Sequence, residues 1–397
     1  MNFNNLKILG KFLIKNHSYL IWPFFLMMMV YYYFELIKYG FNAYKTGDWL
    51  INYYSGFVRR GLIGTFLLGT SKLFNFFSSD LKWFIFFFQN IIYFFIFFLI
   101  QRIYLLNKPS LGTLILLFSP AYILFPYYDF LGGYRKEIIF FLAFAILAYI
   151  YAAGLKSKKL IWLSFFIFLA GILSHETGIF ILPFFLFLIY KMELVNILKR
   201  KEVIFFSLLF IFSSIFVLLF SFLSALNYDQ NILISKNICT SLISIGFDKS
   251  ICQGAISFLQ RSFTEVLKET LGSITSSLEL YSVLLTLSIV PIFFLDWFSS
   301  LKNKLLILFS FIYISPLFLI GLDWGRWIHI YIYFVFTIIL SDSVYKNLII
   351  KKIPILVIIG YLTLWSIPHC CTNKIGNGFF LKQVSILGIF ANKKWEK

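Results

Sequence analysis

Long apolar runs separated by short polar connections form the dominant pattern along this chain. The runs are about 17–25 residues long, which is the length a helix needs to cross roughly 30 Å of hydrocarbon. The pattern therefore predicts an all-α integral membrane protein with about eleven transmembrane helices. The predicted spans are 19–37, 83–101, 110–127, 138–154, 160–174, 177–190, 203–225, 280–298, 305–321, 328–343 and 353–368.

One apolar segment, 61–77, does not fit this series, because Gly64, Gly69 and Lys72 interrupt it. If it does not cross the membrane, the short connections rich in Lys and Arg all fall on the side of the N-terminus, and such connections mark the cytoplasm. If it crossed, the basic connection 155–159 would lie outside. We therefore expect a surface-lying or re-entrant helix near 61–77, a cytoplasmic N-terminus and a periplasmic C-terminus.

Composition agrees with a membrane location. Of the 397 residues, 60% are hydrophobic and only 13% are charged, and a soluble core could not accommodate so much apolar sequence. The formal net charge of +18 follows from the basic connections, so it does not predict nucleic-acid binding. We expect one polytopic domain over 1–397, with the largest extracytoplasmic loop at 226–279 and an extracytoplasmic tail at 369–397.

Four cysteines are too few to predict a disulfide framework. Cys239 and Cys252 share the 226–279 loop and could pair if that loop is extracytoplasmic. The adjacent Cys370 and Cys371 are not expected to bond to each other. No CxxC or HxxxH spacing predicts a metal site, so no metal ligand or cofactor is assigned. Five acidic residues could still assemble around a divalent cation: Asp48, Asp129, Glu137, Glu176 and Asp323.

Four polar clusters fall at helix ends on the predicted outer side, and each combines acidic with basic groups. Ionisable groups near the membrane are costly and are commonly functional, so four such clusters on one side suggest one shared pocket. Each cluster also has a purely structural interpretation, as an interfacial ion pair, a capped turn, a hairpin tip or a tight-turn ion pair. The clusters are Asp48 with Arg59 and Arg60; Asp129 with Arg135, Lys136 and Glu137; His175 with Glu176; and Asp323 with Arg326.

These residue types suit the transfer of a sugar from a lipid-linked phosphate or pyrophosphate. The planar guanidinium group of arginine matches phosphate oxygens, and a carboxylate or an imidazole can accept the proton of a sugar hydroxyl. The candidate catalytic residues are Asp48, His175 and Glu176. The candidate phosphate- or substrate-binding residues are Arg59, Arg60, Arg135, Lys136, Asp323 and Arg326.

The layout resembles membrane glycosyltransferases of the GT-C class, which carry a key Asp in the first extracytoplasmic loop, followed by surface-lying helices. Asp48 and the segment 61–77 match these features in position. The chain is also similar to bacterial O-antigen and capsule repeat-unit polymerases, although the acid clusters led by Asp48 depart from them and favour a transferase with a carboxylate base. The polymerase resemblance implies that undecaprenyl pyrophosphate is engaged by Arg59, Arg60, Arg135, His175 and Arg326.

These resemblances imply a bacterial inner-membrane enzyme of surface-polysaccharide assembly. Its expected partners are an undecaprenyl-linked sugar or oligosaccharide, membrane lipids and other polysaccharide-assembly proteins. The alternative is a transporter or flippase that uses His175 and Glu176 as a proton relay. Transporters usually show paired halves and charges at the bilayer midplane, whereas the charges here lie at one face, which favours an enzyme. A scaffold role, with individually replaceable clusters, is a third possibility.

Overall fold

The computed structural model describes residues 17–40, 42–107, 109–226, 228–342, 354–372 and 374–383. Nearly all regular structure in these ranges is helical, which confirms the predicted all-α class. The only strands in the described ranges, Trp365–Ser366 and Gly376–Asn377, form one short antiparallel pair. The helices are α1 (Ile21–Tyr39), α2 (Lys45–Leu50), α3 (Leu62–Leu73), α4 (Ser78–Leu106), α5 (Leu111–Leu117), α6 (Phe125–Tyr128), α7 (Phe130–Gly133), α8 (Ile138–Ala153), α9 (Lys158–Ile172), α10 (Gly178–Leu194), α11 (Arg200–Leu226), α12 (Tyr228–Ser244), α13 (Phe263–Phe293), α14 (Leu301–Ile314), α15 (Leu317–Ile320), α16 (Trp324–Ser341) and α17 (Ile355–Thr363), with 3₁₀ turns at His17–Leu20, Lys249–Gln253, Ser257–Gln260 and Asp296–Ser299.

Several of these helices could cross a membrane. Among the described residues, four are long and apolar enough, and a fifth candidate is a helix pair within α13 that is bent by 79°. These helices support a membrane protein, while the count of about eleven spans stays a prediction. The four helices are Ser78–Leu106, Arg200–Ser224, Leu301–Ile320 and Trp324–Ser341.

Two predicted spans are interrupted in the structure. The predicted span 110–127 is not one helix, because α5 ends at Leu117 and a turn follows at Pro120, which has no backbone N–H to continue the helix. Near the end of the chain, α17 covers nine residues, or about 14 Å, which is well short of a membrane-spanning length. The predicted span 353–368 is therefore not a single spanning helix.

The predicted extracytoplasmic loop 226–279 is largely helical rather than irregular. It contains α12 and the first half of α13, whose N-terminus carries a capping box between Ser262 and Glu265. Cys239 and Cys252 form a disulfide in this segment, with their Cα atoms 5.7 Å apart. The bond joins α12 to the turn that follows it.

The helix α16 forms the centre of the described fold. All 18 of its residues are buried, as expected for a helix that is apolar on nearly every face. It packs against α8, where the hydroxyl of Tyr333 donates to the carbonyl oxygen of Phe141 at 3.0 Å. The N-terminal turn of α16 holds Arg326, and so this packing positions Arg326 beside the residues that precede α8.

The segment 61–77 contains α3, a helix of 12 residues that is about 18 Å long. This length is too short to cross the membrane upright, and the expectation of a surface-lying or re-entrant orientation stays a prediction. Gly64 packs directly against the backbone before α3, since a Cβ atom there would lie 1.9 Å from the carbonyl oxygen of Ile51.

We expect Gly64→Ala to destabilise the protein by several degrees in thermal unfolding, because backbone atoms must move to admit the methyl group. The matched control is Gly272→Ala in α13, where a Cβ atom would meet nothing within 4 Å. Alanine has the higher helix propensity, so that control should be neutral or slightly stabilising. Equal melting temperatures for the two variants would contradict the close contact at Gly64.

Candidate functional site

Arg135, Lys136 and Glu137 form a junction between the charged clusters. They directly precede α8, and all three are buried. The Nε atom of Arg135 lies 3.3 Å from Oδ2 of Asp48. The ammonium group of Lys136 donates to the backbone carbonyl oxygen of Arg60 at 2.7 Å. Arg135 and Lys136 thus contact the two ends of the first cluster, Asp48 and Arg60.

The third residue of this junction, Glu137, contacts the remaining two clusters. Its Oε1 atom lies 3.3 Å from Nε2 of His175 and 3.4 Å from Nε of Arg326. The Nη1 atom of Arg326 lies in turn 2.9 Å from Oδ2 of Asp323. Arg59 and Arg60 both contact Glu176, as described below. All nine site residues predicted from the sequence thus meet in one network, with Glu137 as a tenth member. We call this set the charged cluster: Asp48, Arg59, Arg60, Arg135, Lys136, Glu137, His175, Glu176, Asp323 and Arg326.

A bidentate ion pair joins Arg60 to Glu176. The Nε and Nη2 atoms of Arg60 donate to the two carboxylate oxygens at 2.8 and 2.6 Å. Arg60 has a φ of +72°, a left-handed conformation that is costly for a residue with a side chain and persists only where the surroundings hold it. The ion pair with Glu176 and the bond from Lys136 to its carbonyl oxygen hold Arg60 from both sides.

Arg59 contributes a second guanidinium group at the same edge. Its Nη1 atom lies 3.6 Å from Oε1 of Glu176, and its Nη2 atom donates to the carbonyl oxygen of Phe258 at 3.0 Å. The side chains of Arg59, Arg60 and Glu176 remain 29%, 20% and 21% exposed, respectively. The charged cluster therefore has an accessible arginine edge and a buried interior.

The segment that carries the disulfide lies beside this edge. The backbone N–H of Ala255 donates to the carbonyl oxygen of Ala43 at 3.1 Å. Gly254 approaches so closely that a Cβ atom would lie 2.3 Å from the same carbonyl group. Together with the bond from Arg59 to Phe258, these contacts connect the 226–279 segment to the residues around Asp48.

Buried polar atoms without a hydrogen-bond partner concentrate in the charged cluster. Within the described residues there are nine such side-chain atoms, and six of them belong to four members of the cluster. Some lie within ion-pair distance of an opposite charge but outside hydrogen-bond geometry. Since buried polar groups in native proteins are nearly always bonded, this concentration marks a place suited to a polar ligand. The six atoms are Oδ1 of Asp48, Oε1 and Oε2 of Glu137, Nε2 of His175, and Nε and Nη1 of Arg326.

The acidic groups of the cluster are held ionised. Burial by itself would raise the pKa of Asp48, but Arg135 and Lys136 more than offset it and hold the pKa well below its usual value. Arg60 does the same for the pKa of Glu176. The two carboxylates differ in how their oxygens are used. Glu176 binds Arg60 with both, whereas Asp48 uses only Oδ2 for Arg135.

His175 is held as a neutral imidazole. Burial lowers its pKa to about 4, and the neighbouring Glu137 opposes this effect only in part. The Nδ1 atom accepts the backbone N–H of Thr177 at 3.3 Å and lies 2.9 Å from the hydroxyl of the same residue. An accepting Nδ1 places the ring proton on Nε2, which faces Glu137. Burial also lowers the pKa of Lys136 to about 8, with Asp48 opposing.

The second sequence cluster divides in the structure. Asp129 is not in contact with the Arg135–Glu137 junction and instead binds His369, whose backbone N–H and Nδ1 lie 2.7 and 2.8 Å from Oδ2 of Asp129. No pattern in the sequence drew attention to His369, although the chain has only four histidines. From the sequence, Glu137 is predicted only as a possible ligand of a divalent cation, whereas in the structure it contacts both His175 and Arg326.

Comparison with known proteins assigns no family to the chain. No model of a protein family, no curated protein and no solved structure matched it. The interpretation of the charged cluster therefore rests on the geometry and chemistry described above.

Proposed function

We propose that this protein is a membrane enzyme of surface-polysaccharide biosynthesis, which transfers or polymerises sugars from an undecaprenyl-(pyro)phosphate-linked donor at the periplasmic face. The observation that carries the proposal is the meeting of four separate polar clusters in one buried network with an accessible arginine edge. The disulfide between Cys239 and Cys252 adds support, because such bonds persist in oxidising compartments.

The arginine edge suits the phosphate groups of the donor. Arg59 keeps N–H groups beyond the one that it donates to Phe258, and Arg60 keeps Nη1 beyond its bidentate pair with Glu176. Guanidinium groups on a partly buried surface bind phosphate oxygens with charge-assisted hydrogen bonds. Glu176 serves as a positioning residue in this proposal, since both of its oxygens are used to orient Arg60.

Among the candidate catalytic residues, Asp48 is better suited than His175 or Glu176 to act as the base that accepts the proton of the sugar hydroxyl. Its Oδ1 atom is buried and has no hydrogen-bond partner, so it can accept the hydroxyl of a sugar that enters the buried interior of the cluster, while Oδ2 is held by Arg135. The pKa of Asp48 is well below its usual value, so the carboxylate is ionised before the acceptor binds. His175, neutral and with Nδ1 beside Thr177, is suited to orienting Glu137 through the N–H of Nε2.

The test is transfer by the purified protein in proteoliposomes, with labelled undecaprenyl-linked intermediates extracted from the source bacterium. We expect the wild type to lengthen or modify the labelled glycan. Arg59→Ala should reduce the rate by about 10- to 100-fold, the equivalent of about one charge-assisted hydrogen bond. The matched control is Arg261→Ala, which removes a partly exposed arginine paired with Glu269 outside the charged cluster and should leave the rate unchanged.

Two outcomes would contradict this proposal. Unchanged transfer by Arg59→Ala, Arg60→Ala and His175→Ala would remove the charged cluster as the site. Movement of the labelled lipid across the bilayer by the wild type, with no glycosyl transfer, would support the alternative transporter or flippase hypothesis with His175 and Glu176 as its relay.

A further inference from the structure

Three side chains of different chemistry meet beside the charged cluster. They are Asp323, which precedes α16, and His369 and Cys370, which follow the first strand. One possible ligand atom of each residue lies within 4.8 Å of those of the other two, and all three residues are partly exposed. The approach of Asp323 to the adjacent His369 and Cys370 does not follow from sequence spacing, because Asp323 is far from them in the chain.

The imidazole of His369 is held by a carboxylate. Its Nδ1 atom lies 2.8 Å from Oδ2 of Asp129, and its backbone N–H donates to the same oxygen at 2.7 Å. The other oxygen of Asp129 accepts the N–H of Gly132 at 3.0 Å, so the carboxylate is itself fixed. A carboxylate behind an imidazole is the usual support of a metal-binding histidine, and it leaves Nε2 for the ion.

The backbone around this group is closely packed. The N–H of Gly325 donates to the carbonyl oxygen of His369 at 3.0 Å. A Cβ atom on Gly325 would lie 1.8 Å from the carbonyl oxygen of Pro368, so only glycine fits at this contact. The segment that carries His369 and Cys370 is thereby docked on the first turn of α16, next to Asp323.

We propose that Asp323, His369 and Cys370 bind Zn²⁺ or a divalent transition-metal ion with similar ligand preferences. Imidazole, thiolate and carboxylate are the ligands that Zn²⁺ takes in proteins, and a thiolate disfavours Mg²⁺ and Ca²⁺. Ligand atoms of a tetrahedral zinc site are about 3.3–3.8 Å apart, so small side-chain rotations close the group around an ion. Binding releases the thiol proton of Cys370 to solvent.

Three protein ligands leave the fourth coordination position open to water or an anionic oxygen. This site differs from the divalent-cation site made only of carboxylates that the sequence suggested, because it combines one carboxylate with an imidazole and a thiol.

A bound ion would also have a structural consequence. The ion would tie the segment after the first strand to Asp323, and Asp323 contacts Arg326 of the charged cluster at 2.9 Å. Metal binding at this site does not depend on whether the protein transfers sugars.

Metal binding is measured on the purified full-length protein, with an affinity tag that contains no histidine and under anaerobic conditions without added reductant, which keep the disulfide between Cys239 and Cys252 intact. After loading with Zn²⁺ and gel filtration, we expect about one ion per chain by elemental analysis and a rise in melting temperature that a chelator reverses. Loading with Co²⁺ should produce a thiolate-to-cobalt charge-transfer band. Cys370→Ser should abolish the band, and Asp129→Asn should weaken zinc binding about 10- to 100-fold.

The neighbouring thiol supplies the control. Cys371 is exposed and lies outside the group of three ligand atoms, although its thiol is hydrogen-bonded to that of Cys370. A serine hydroxyl can keep this hydrogen bond, so Cys371→Ser should keep both the band and the stoichiometry. Failure of the wild type to retain zinc would overturn the proposal, and this result does not depend on any variant folding. Loss of the band in Cys371→Ser but not in Cys370→Ser would overturn it as well, since the ion would then bind at another thiol.

Discussion

Glu137→Leu is expected to lower the free energy of unfolding by about 3–5 kcal/mol, enough to prevent stable accumulation in the membrane. The side chains of Glu137 and Arg326 are each only 4% exposed, so removing the carboxylate leaves a buried guanidinium with Asp323 as its remaining acidic contact. Breaking a buried pair by removing one partner costs far more than the pair contributes, because the remaining charge has lost its compensation. The measurement is thermal unfolding in detergent, together with the amount of protein in isolated membranes.

Two controls distinguish the destabilisation by Glu137→Leu from the cost of removing any acidic side chain. Glu269→Leu removes one partner of the exposed pair with Arg261 and should cost less than about 1 kcal/mol. The double variant Glu137→Leu with Arg326→Met should be more stable than Glu137→Leu alone, since the buried guanidinium is removed as well and only the partly exposed Asp323 loses its partner. A double variant that is no more stable than the single one would show that the contact between Glu137 and Arg326 does not carry the effect.

The sequence predicted the class of fold and the membership of the charged cluster for identifiable physical reasons. Runs of apolar residues long enough to cross a membrane leave few alternatives to helices. Acidic and basic residues stand out in such a sequence because burying them is costly, so Asp48, Arg60, Glu176 and Arg326 could be recognised without knowledge of their contacts. The structure brings these residues into one network.

Contacts made by tertiary packing could not be predicted in this way. His369 reaches Asp129 across 240 positions, and no local pattern encodes that pairing. The division of the second cluster between Asp129 and Glu137 depends on the turns that separate α6, α7 and α8, which hydrophobic periodicity does not resolve. The interruption at Pro120 was visible in the sequence, but the surrounding apolar run concealed its effect on the predicted span.

The roles proposed for Asp48 and Glu176 lead to a kinetic distinction between two otherwise similar carboxylates. Asp48→Asn should reduce kcat by about 10²- to 10⁴-fold, with little change in KM for the donor, because an amide cannot accept the hydroxyl proton. Glu176→Gln should mainly raise KM for the donor, because it loosens Arg60 at the proposed phosphate site. Both changes preserve the shape of the side chain, and the assay is transfer from the labelled undecaprenyl-linked donor in proteoliposomes.

Each variant must first be shown to reach the membrane at the wild-type level, because Asp48→Asn also removes the charge that faces Arg135. The double variant Asp48→Asn with Arg135→Gln restores charge balance without restoring a base. It should therefore recover stability while remaining inactive. Recovery of transfer by this double variant would show that Asp48 serves only to compensate Arg135, and the base would then have to be sought elsewhere in the cluster, with Glu137 beside His175 as the next candidate.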